Sequence, residues 1–297
     1  MNCLLCGHDK VHRHGKTQKG QQRYKCPCCG KTFPEHFDSL YYGRHLTQEE
    51  VHTILQAHGE GSSLRGISRI SGRAYGTVVS LIQGEASKST DDSQSWSQTD
   101  RNRRSDCRRN VVIRRKKQKN CLAQELRAGD CWIGLSLASD SGLILAARVG
   151  KHTDAFIEEL VNSTRGKTDC LNWKTDGWGG YERVLTSEIH HQIGKENTQR
   201  LERTNGIMRQ QTGRWHRRQN KFAKNWEQTK VINRLVVSYV NWIWVHHRLG
   251  TTAAQRAGLT ERRWTWNDLA LYPTVLWCTT RDIRFYPTLP WFLFNSP

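Results

Sequence analysis

The sequence predicts a mixed α/β fold in which helices flank a sheet. Apolar runs over residues 132–138 and 143–149 are joined by the polar segment 139–142, a pattern typical of a β-hairpin. Apolar residues at helical spacing predict a helix over 152–163, and residues 169–176 predict a further strand. Hairpin, helix and strand in this order indicate a mixed sheet with helices packed against it.

The composition indicates a nucleic-acid-binding protein. The chain has 297 residues with 46 Lys and Arg against 27 Asp and Glu, a formal charge of +19. A polyanion is therefore the expected partner. Nucleic acid fits better than a membrane surface, because no apolar run reaches the length of a membrane-spanning helix. No signal peptide is recognisable at the start, so we expect a cytoplasmic protein.

Two cysteine pairs predict a structural metal site in a zinc-ribbon-like domain over residues 1–45. Cys3 and Cys6 form one Cys-x-x-Cys pair, and Cys26 and Cys29 form the second after 19 intervening residues. This spacing suits four thiolates around one Zn²⁺, and so short a module has little core without a metal. The alternative is a set of free thiols. Basic residues between the pairs indicate either a phosphate-facing surface or ordinary solvated charge.

Residues 46–86 predict a helix-turn-helix. Thr47 and Glu50 form a capping-box pattern, and three apolar stripes are separated by glycines. Such a motif places its last helix in the DNA major groove, here with Arg73 and Tyr75 near the start of that helix. A small helical bundle without a DNA contact is the alternative.

The composition changes over residues 87–118, which are first polar and then crowded with arginine and lysine around one short apolar run. We interpret this segment as a basic linker that contacts phosphates without sequence preference. The mixed α/β domain is expected over 119–271. The tail 272–297 has no assignment.

Asp176 and Glu202 are the candidate catalytic acids. Asp176 ends the predicted strand and precedes a glycine-rich turn, whereas Glu202 lies on a predicted helix. Paired carboxylates can hold divalent ions that activate water and stabilise the leaving oxygen of a phosphodiester. The alternative is structural, with Asp176 bonded to its turn and Glu202 paired with a neighbouring arginine.

A basic and aromatic segment over 209–224 suits a DNA backbone, or else forms the charged face of an ordinary helix. The apolar segment 231–244 predicts a buried helix, with its tryptophans in the core.

These motifs together resemble the transposases of the insertion-sequence-one family. The resemblance rests on the two cysteine pairs, the predicted helix-turn-helix, and the segments 174–178 (Lys-Thr-Asp-Gly-Trp) and 198–205 (Thr-Gln-Arg-Leu-Glu-Arg-Thr-Asn). It implies a ribonuclease H-like catalytic fold in which two Asp and one Glu bind Mg²⁺. By this resemblance Asp176 is the second acid and Glu202 the third.

The first acid of that family is missing here. The family carries it before the hairpin, in a pattern like Ala-Asp-Glu-Met-Trp-Ser-Phe-Val, where this chain has residues 107–114 (Cys-Arg-Arg-Asn-Val-Val-Ile-Arg). With a suitable choice among synonymous codons, reading this stretch one nucleotide later yields the family pattern. We therefore hypothesise that part of residues 87–115 is translated out of frame, which the nucleotide sequence of the gene would decide.

The resemblance implies a transposase that cuts transposon ends and joins them to target DNA, with Mg²⁺ and Zn²⁺ as cofactors. Its expected partners are DNA and further copies of the same chain. The alternative is a sequence-specific DNA-binding protein with an inactive catalytic domain, such as a repressor of its own element. The missing first acid favours this alternative, because two carboxylates hold a divalent metal poorly and nearby arginines oppose its binding.

Overall fold

The fold was determined as a computed structural model, which describes residues 2–18, 20–95, 105–113, 129–194, 199–213, 215 and 226–271. For residues 87–95 and 105–113 it describes the backbone. The chain divides into two compact units. The first contains residues 1–46 together with the C-terminal segment from Ala270, and the second contains Thr47–Leu269.

The first unit contains a small antiparallel sheet next to the cysteine pairs. Its strands are β1 (His12–Lys16), β2 (Gln22–Lys25) and β3 (Thr32–Pro34), in that spatial order. The core of this unit is small: Phe33 is buried with Cys3 and Cys26. Because a core of this size supplies little stability, the cysteines must contribute much of what holds the unit together.

The second unit begins with three helices, α1 (Gln48–Gly59), α2 (Leu64–Ser71) and α3 (Tyr75–Ser95). The predicted capping box at Thr47 and Glu50 is confirmed, with both reciprocal hydrogen bonds present. Gly72 ends α2 in the left-handed conformation (φ 66°), which a residue with a side chain rarely adopts. Helix α3 packs along a later helix, Trp226–Ser238, so the three helices are fixed to the rest of this unit.

A five-stranded mixed sheet forms the centre of the second unit. Its strands are β4 (Ser105–Ile113), β5 (Cys131–Ala138), β6 (Ile144–Gly150), β7 (Asn172–Thr175) and β8 (His190–Ile193). Their spatial order is β6-β5-β4-β7-β8. β4, β5 and β6 pair antiparallel, whereas β7 runs parallel to β4 and β8 parallel to β7. The predicted hairpin over 132–149 is confirmed, and so is the mixed α/β fold class.

Helices cover both faces of this sheet. Helix α4 (Asp154–Arg165) and helix α5 (Gly179–Val184) lie on one face. A Cβ atom on Gly134 would meet Phe156 and Leu160 of α4 at 2.9 and 3.0 Å, so this glycine lets α4 approach the sheet closely. Helix α6 (Gln199–Thr212) and helix α7 (Trp226–Ser238) cover the opposite face. Two short helices, α8 (Ala253–Arg256) and α9 (Trp266–Leu271), complete the described chain.

The predicted buried helix over 231–244 is present as α7, which continues into a π-helical turn, Tyr239–Ile243. The side chain of Asn241 in that turn bonds both the backbone N–H and the carbonyl of Ile144, at 2.9 and 3.0 Å. These bonds occupy backbone groups of β6, the edge strand of the sheet. They therefore block part of a sheet edge that could otherwise pair with a strand of another chain.

The predicted linker over 87–118 differs from the structure. Residues 87–95 continue α3, and residues 105–113 form β4, the central strand of the sheet. Charge and polarity argue against a strand here, but hydrogen bonding to two neighbouring strands overrides the weak preference of single residues. Of the predicted segment 209–224, most lies outside the described residues, as does the tail 272–297. None of the helices in the described ranges is both long and apolar enough to cross a lipid bilayer.

Candidate active site and metal centre

Four cysteines converge in the first unit. The Sγ atoms of Cys3, Cys6, Cys26 and Cys29 all lie within 4.8 Å of one another. Cys3 and Cys29 are 3.8 Å apart, and Cys6 and Cys26 are 3.5 Å apart. Ligands at a Zn–S distance of about 2.3 Å in a tetrahedron would be about 3.8 Å from one another, so the four thiols fit one zinc ion.

The two cysteine pairs adopt the same local backbone. Gly7 N–H donates to the Cys3 carbonyl at 2.9 Å, and Gly30 N–H donates to the Cys26 carbonyl at 3.0 Å. Both glycines have positive φ angles, 75° and 69°, which the tight turn requires. The fifth cysteine of this region, Cys28, is exposed and does not belong to the cluster.

The thiols differ in acidity. Burial raises the pKa of the Cys3 thiol to about 12. Burial also raises the pKa of Cys26, but hydrogen bonds from the backbone N–H groups of Cys29 and Cys28 and from the Cys6 thiol outweigh it and lower that pKa to about 6. A thiolate at Cys26 is thus favoured near neutral pH, and thiolate is the form that binds metals.

Asp176 lies directly after the C-terminal end of β7 and is half-buried, with its Oδ1 atom buried. On β7, Trp173 packs with Tyr181 and the residues of α4. Because successive strand residues point to opposite faces, Asp176 continues the alternation on the face opposite Trp173. That face is the one covered by α6 and α7.

An aromatic stack holds the turn that follows Asp176. The ring of His152 lies between those of Trp132 and Trp178, at centroid distances of 4.4 and 4.2 Å. Arg183 lies over the Trp178 ring and forms two 2.7 Å hydrogen bonds with Asp154. The sequence predicts a sharp turn here from its glycines, but the rigidity of this turn comes from contacts between distant segments.

The stack leads to a prediction for Gly180. A Cβ atom at this position would lie 2.1 Å from the Trp178 ring, so we expect Gly180→Ala to destabilise the protein by about 1–3 kcal/mol through overpacking. Thermal unfolding measures this effect. The control is Gly206→Ala on α6, where an added Cβ has nothing within 4 Å; this variant should be neutral or stabilising by about 1 kcal/mol. Equal melting temperatures for the two variants would contradict the packing of Trp178.

Glu202 lies in the first turn of α6 and is exposed. The buried residues Leu201 and Met208 attach α6 to the sheet, where it packs on β4 and β5.

Arg200 fixes the start of helix α6, because its guanidinium donates hydrogen bonds to the carbonyls of Ser139 and Asp140 in the hairpin loop. Asp176 thus follows β7, and Glu202 lies on the helix that packs on β4, the strand next to β7.

Position 108 lies one step beyond the last residue pair of β4 and β7. Cys107 on β4 pairs with Thr175 on β7 in parallel register. One further step along both chains places position 108 beside Asp176. Position 108 also pairs with Leu135 on β5, a residue of the α6-covered face. An arginine thus occupies the β4 position that is next in register to Asp176.

A group of arginines beside α6 was not recognised in the sequence. Burial lowers the pKa of His246, and the positive charges of Arg256, Arg203, Arg200 and Arg248 lower it further. Arg256 donates to the Ser141 carbonyl at 2.7 Å, next to the carbonyls that Arg200 contacts. The group joins residues near 200 to residues near 250, and no local pattern signals that contact.

Comparisons with known proteins identify the family. The family model described as IS1 transposase matches residues 121–243. The Insertion element IS1 protein InsB of Shigella sonnei is 32% identical over 110 residues, which cover 37% of this chain and 80% of that protein. The Insertion element IS1 2 protein InsB of Escherichia coli (strain K12) is 35% identical over 98 residues, 33% of this chain and 56% of that protein.

The chain spans little more than half the length of this E. coli relative. Among solved structures, the catalytic core domain of HTLV-2 integrase in complex with magnesium is 17% identical; the match covers 53% of this chain and 96% of that chain, with a TM-score of 0.33. The sequence relatives and the matched family model agree, so the chain belongs to the IS1 transposase family.

Proposed function

We propose that the chain is a DNA transposase that binds the ends of its own insertion element, cuts them and joins them to target DNA. The observation that carries this proposal is that Asp176 follows β7 while Glu202 lies on the helix that packs on the neighbouring strand β4, in a chain of this family. The positive charge around His246, next to the helix that bears Glu202, supports a polyanionic substrate at that face.

The sheet supports the finer assignment to a ribonuclease H-like fold. The strand that precedes the hairpin, β4, runs parallel to β7, the strand that delivers Asp176. By the family resemblance, we expect the first acid on the strand before the hairpin and the second acid later in the chain. The parallel pairing of β4 with β7 supports a site that draws on both strands.

In the proposed site Asp176 and Glu202 would hold Mg²⁺, which supplies Lewis-acid stabilisation and a nucleophilic water when it is bound. The residues fit this ion incompletely, because Mg²⁺ prefers several oxygen ligands in octahedral geometry and position 108 is an arginine. Within the described part of the chain, the only group of three or more potential ligands is the cysteine cluster. That cluster fits Zn²⁺, and we assign it to a zinc-ribbon-like domain.

We propose domain boundaries that follow the helices and strands of the structure. Residues 1–45 form the zinc module, and α1 to α3 form the helix-turn-helix, with the short connection between α2 and α3 as the turn. The catalytic domain then starts at β4 rather than at residue 119. Transposon ends and target DNA are the proposed partners, and self-association of the chain remains a prediction.

A second candidate function is supported by position 108. With arginine beside Asp176, the chain would bind end DNA without cutting it and would act as a repressor of its own element. The positive charge at this position opposes a divalent cation through the same electrostatics that would attract phosphate. The hypothesis of an out-of-frame segment over residues 87–115 accounts for how this arginine arose.

Purified full-length protein, labelled end DNA and Mg²⁺ separate the two functions. Nicking at the element boundary supports the transposase, and Asp176→Ala should then abolish nicking while leaving DNA binding intact. Binding without nicking supports the repressor. Cleavage that is unchanged in Asp176→Ala would refute the assignment of this residue.

A further inference from the structure

Asp176 lies just beyond the hydrogen-bonded part of its strand. The pairing of β7 with β8 ends at Thr175 and Ile193, and the Gly194 N–H donates to the Thr175 carbonyl at 3.3 Å. Sheet pairing therefore restrains the backbone that leads into Asp176, whereas the chain after it enters the glycine-rich turn. A catalytic carboxylate has to be held within about 0.5 Å of its productive position, so this residue needs a further restraint.

The side chain of Thr175 supplies a restraint at the carbonyl of Asp176. Thr175 is fully buried, and its Oγ1 donates a hydrogen bond to the Asp176 carbonyl at 3.0 Å. This bond fixes the peptide unit between Asp176 and Gly177. With the sheet on one side and this bond on the other, the backbone torsions that direct the Asp176 side chain are restrained on both sides.

His191 on β8 holds the Thr175 hydroxyl in turn. Its Nε2 atom contacts Thr175 Oγ1, and its side chain is half-buried. A hydroxyl has a single hydrogen, which here is directed at the Asp176 carbonyl, and this assigns the ring proton to Nε2 as the donor to Oγ1. Burial lowers the pKa of His191 against the opposing charge of Glu182, so the imidazole is neutral near pH 7.

Strand β8 carries two histidines in succession, and they have different surroundings. His191 pairs with Trp173 in the parallel register and contacts Thr175, whereas His190 is exposed. Successive strand residues point to opposite faces, which explains the difference. Ile189, directly before the strand, is buried in the cluster that contains Trp173 and so fixes where β8 begins. His190 is therefore a matched control for His191.

We propose that His191 is a positioning residue for Asp176 and acts through the hydroxyl of Thr175. This inference rests on the proposed function, since it names two residues that orient an acid of the candidate site. Because His191 acts through an intervening hydroxyl, its loss should slow the chemical step without weakening the binding of DNA. A merely structural contact between β7 and β8 would lower the melting temperature and leave the rate of the folded protein unchanged.

The test measures Mg²⁺-dependent nicking of end DNA by full-length protein, at a temperature at which every variant is folded. We expect His191→Leu and Thr175→Val to lower kcat roughly tenfold or more with an unchanged KM for DNA, because a misplacement of about 1 Å can cost about 100-fold. Thr175→Ser keeps the hydroxyl and His191→Gln keeps a side-chain N–H donor, so both should recover most of the rate. His190→Leu should nick at the wild-type rate.

A second measurement does not depend on cleavage. Loss of the hydrogen bond to the Asp176 carbonyl moves the NMR resonance of that carbonyl carbon, so His191→Leu should shift it in the same direction as Thr175→Val. His190→Leu should leave it in place. A shift in Thr175→Val alone, or an unchanged kcat in His191→Leu, overturns the inference while the proposed function stands. If wild type binds end DNA without nicking it, the cleavage part of the proposed function fails and the carbonyl resonance alone decides the inference.

Discussion

Arg108→Asp should increase Mg²⁺-dependent nicking of end DNA by about 100-fold or more over the wild-type chain. The substitution places a carboxylate beside Asp176 in the parallel register of β4 and β7 and removes a positive charge from that position. A bound divalent ion contributes several kcal/mol to the stabilisation of the transition state, and each 1.36 kcal/mol is a factor of ten in rate. Nicking rates at fixed Mg²⁺ and calorimetric Mg²⁺ titration measure the effect.

The matched control for this experiment is Arg109→Asp. It makes the same change of charge one residue further along β4, at a position that pairs with Gly134 and so belongs to the α4-covered face. This variant should leave nicking and Mg²⁺ affinity at the wild-type level. In the Arg108→Asp protein, a second substitution Asp176→Asn should abolish the gain. Equal gains from Arg108→Asp and Arg109→Asp would show that net charge, not position, is responsible.

Removing zinc should unfold the first unit. We expect about one Zn²⁺ per chain and, after chelation or in Cys26→Ser, loss of ordered structure over residues 2–46. Structural zinc sites contribute about 10–16 kcal/mol of apparent binding free energy in zinc-finger peptides, far more than the small core around Phe33 can supply. Metal analysis of the purified protein and hydrogen exchange of peptides from this segment measure the two effects.

Cys28→Ser is the matched control for the zinc prediction. Cys28 lies in the same turn as Cys26 and Cys29 but is exposed and outside the cluster, so its substitution should retain both the metal and the protected amides. An equal loss of zinc in Cys28→Ser would contradict the assignment of the four ligands. Protected amides after complete removal of zinc would contradict its structural role.

Short sequence patterns were enough to predict the features that depend on residues close together in the chain. The Cys-x-x-Cys pairs indicate a metal site because the turn between paired ligands is local, and Thr47 with Glu50 marks a helix start for the same reason. The hairpin over 132–149 follows from two apolar runs and one polar loop. The linker interpretation of residues 105–113 was wrong, because a central strand draws its stability from neighbours that are distant in sequence.

The sequence by itself determined the pattern of the four clustered cysteines, the helix start at Thr47, the mixed α/β class and the two candidate acids. Only the tertiary structure decided that the helix carrying Glu202 packs on the strand beside β7, that position 108 follows the last residue pair of β4 and β7, and that Arg73 is held by Glu50. The reason is physical: strand register, helix docking and ion pairs join residues far apart along the chain, and their geometry is fixed only when the core packs.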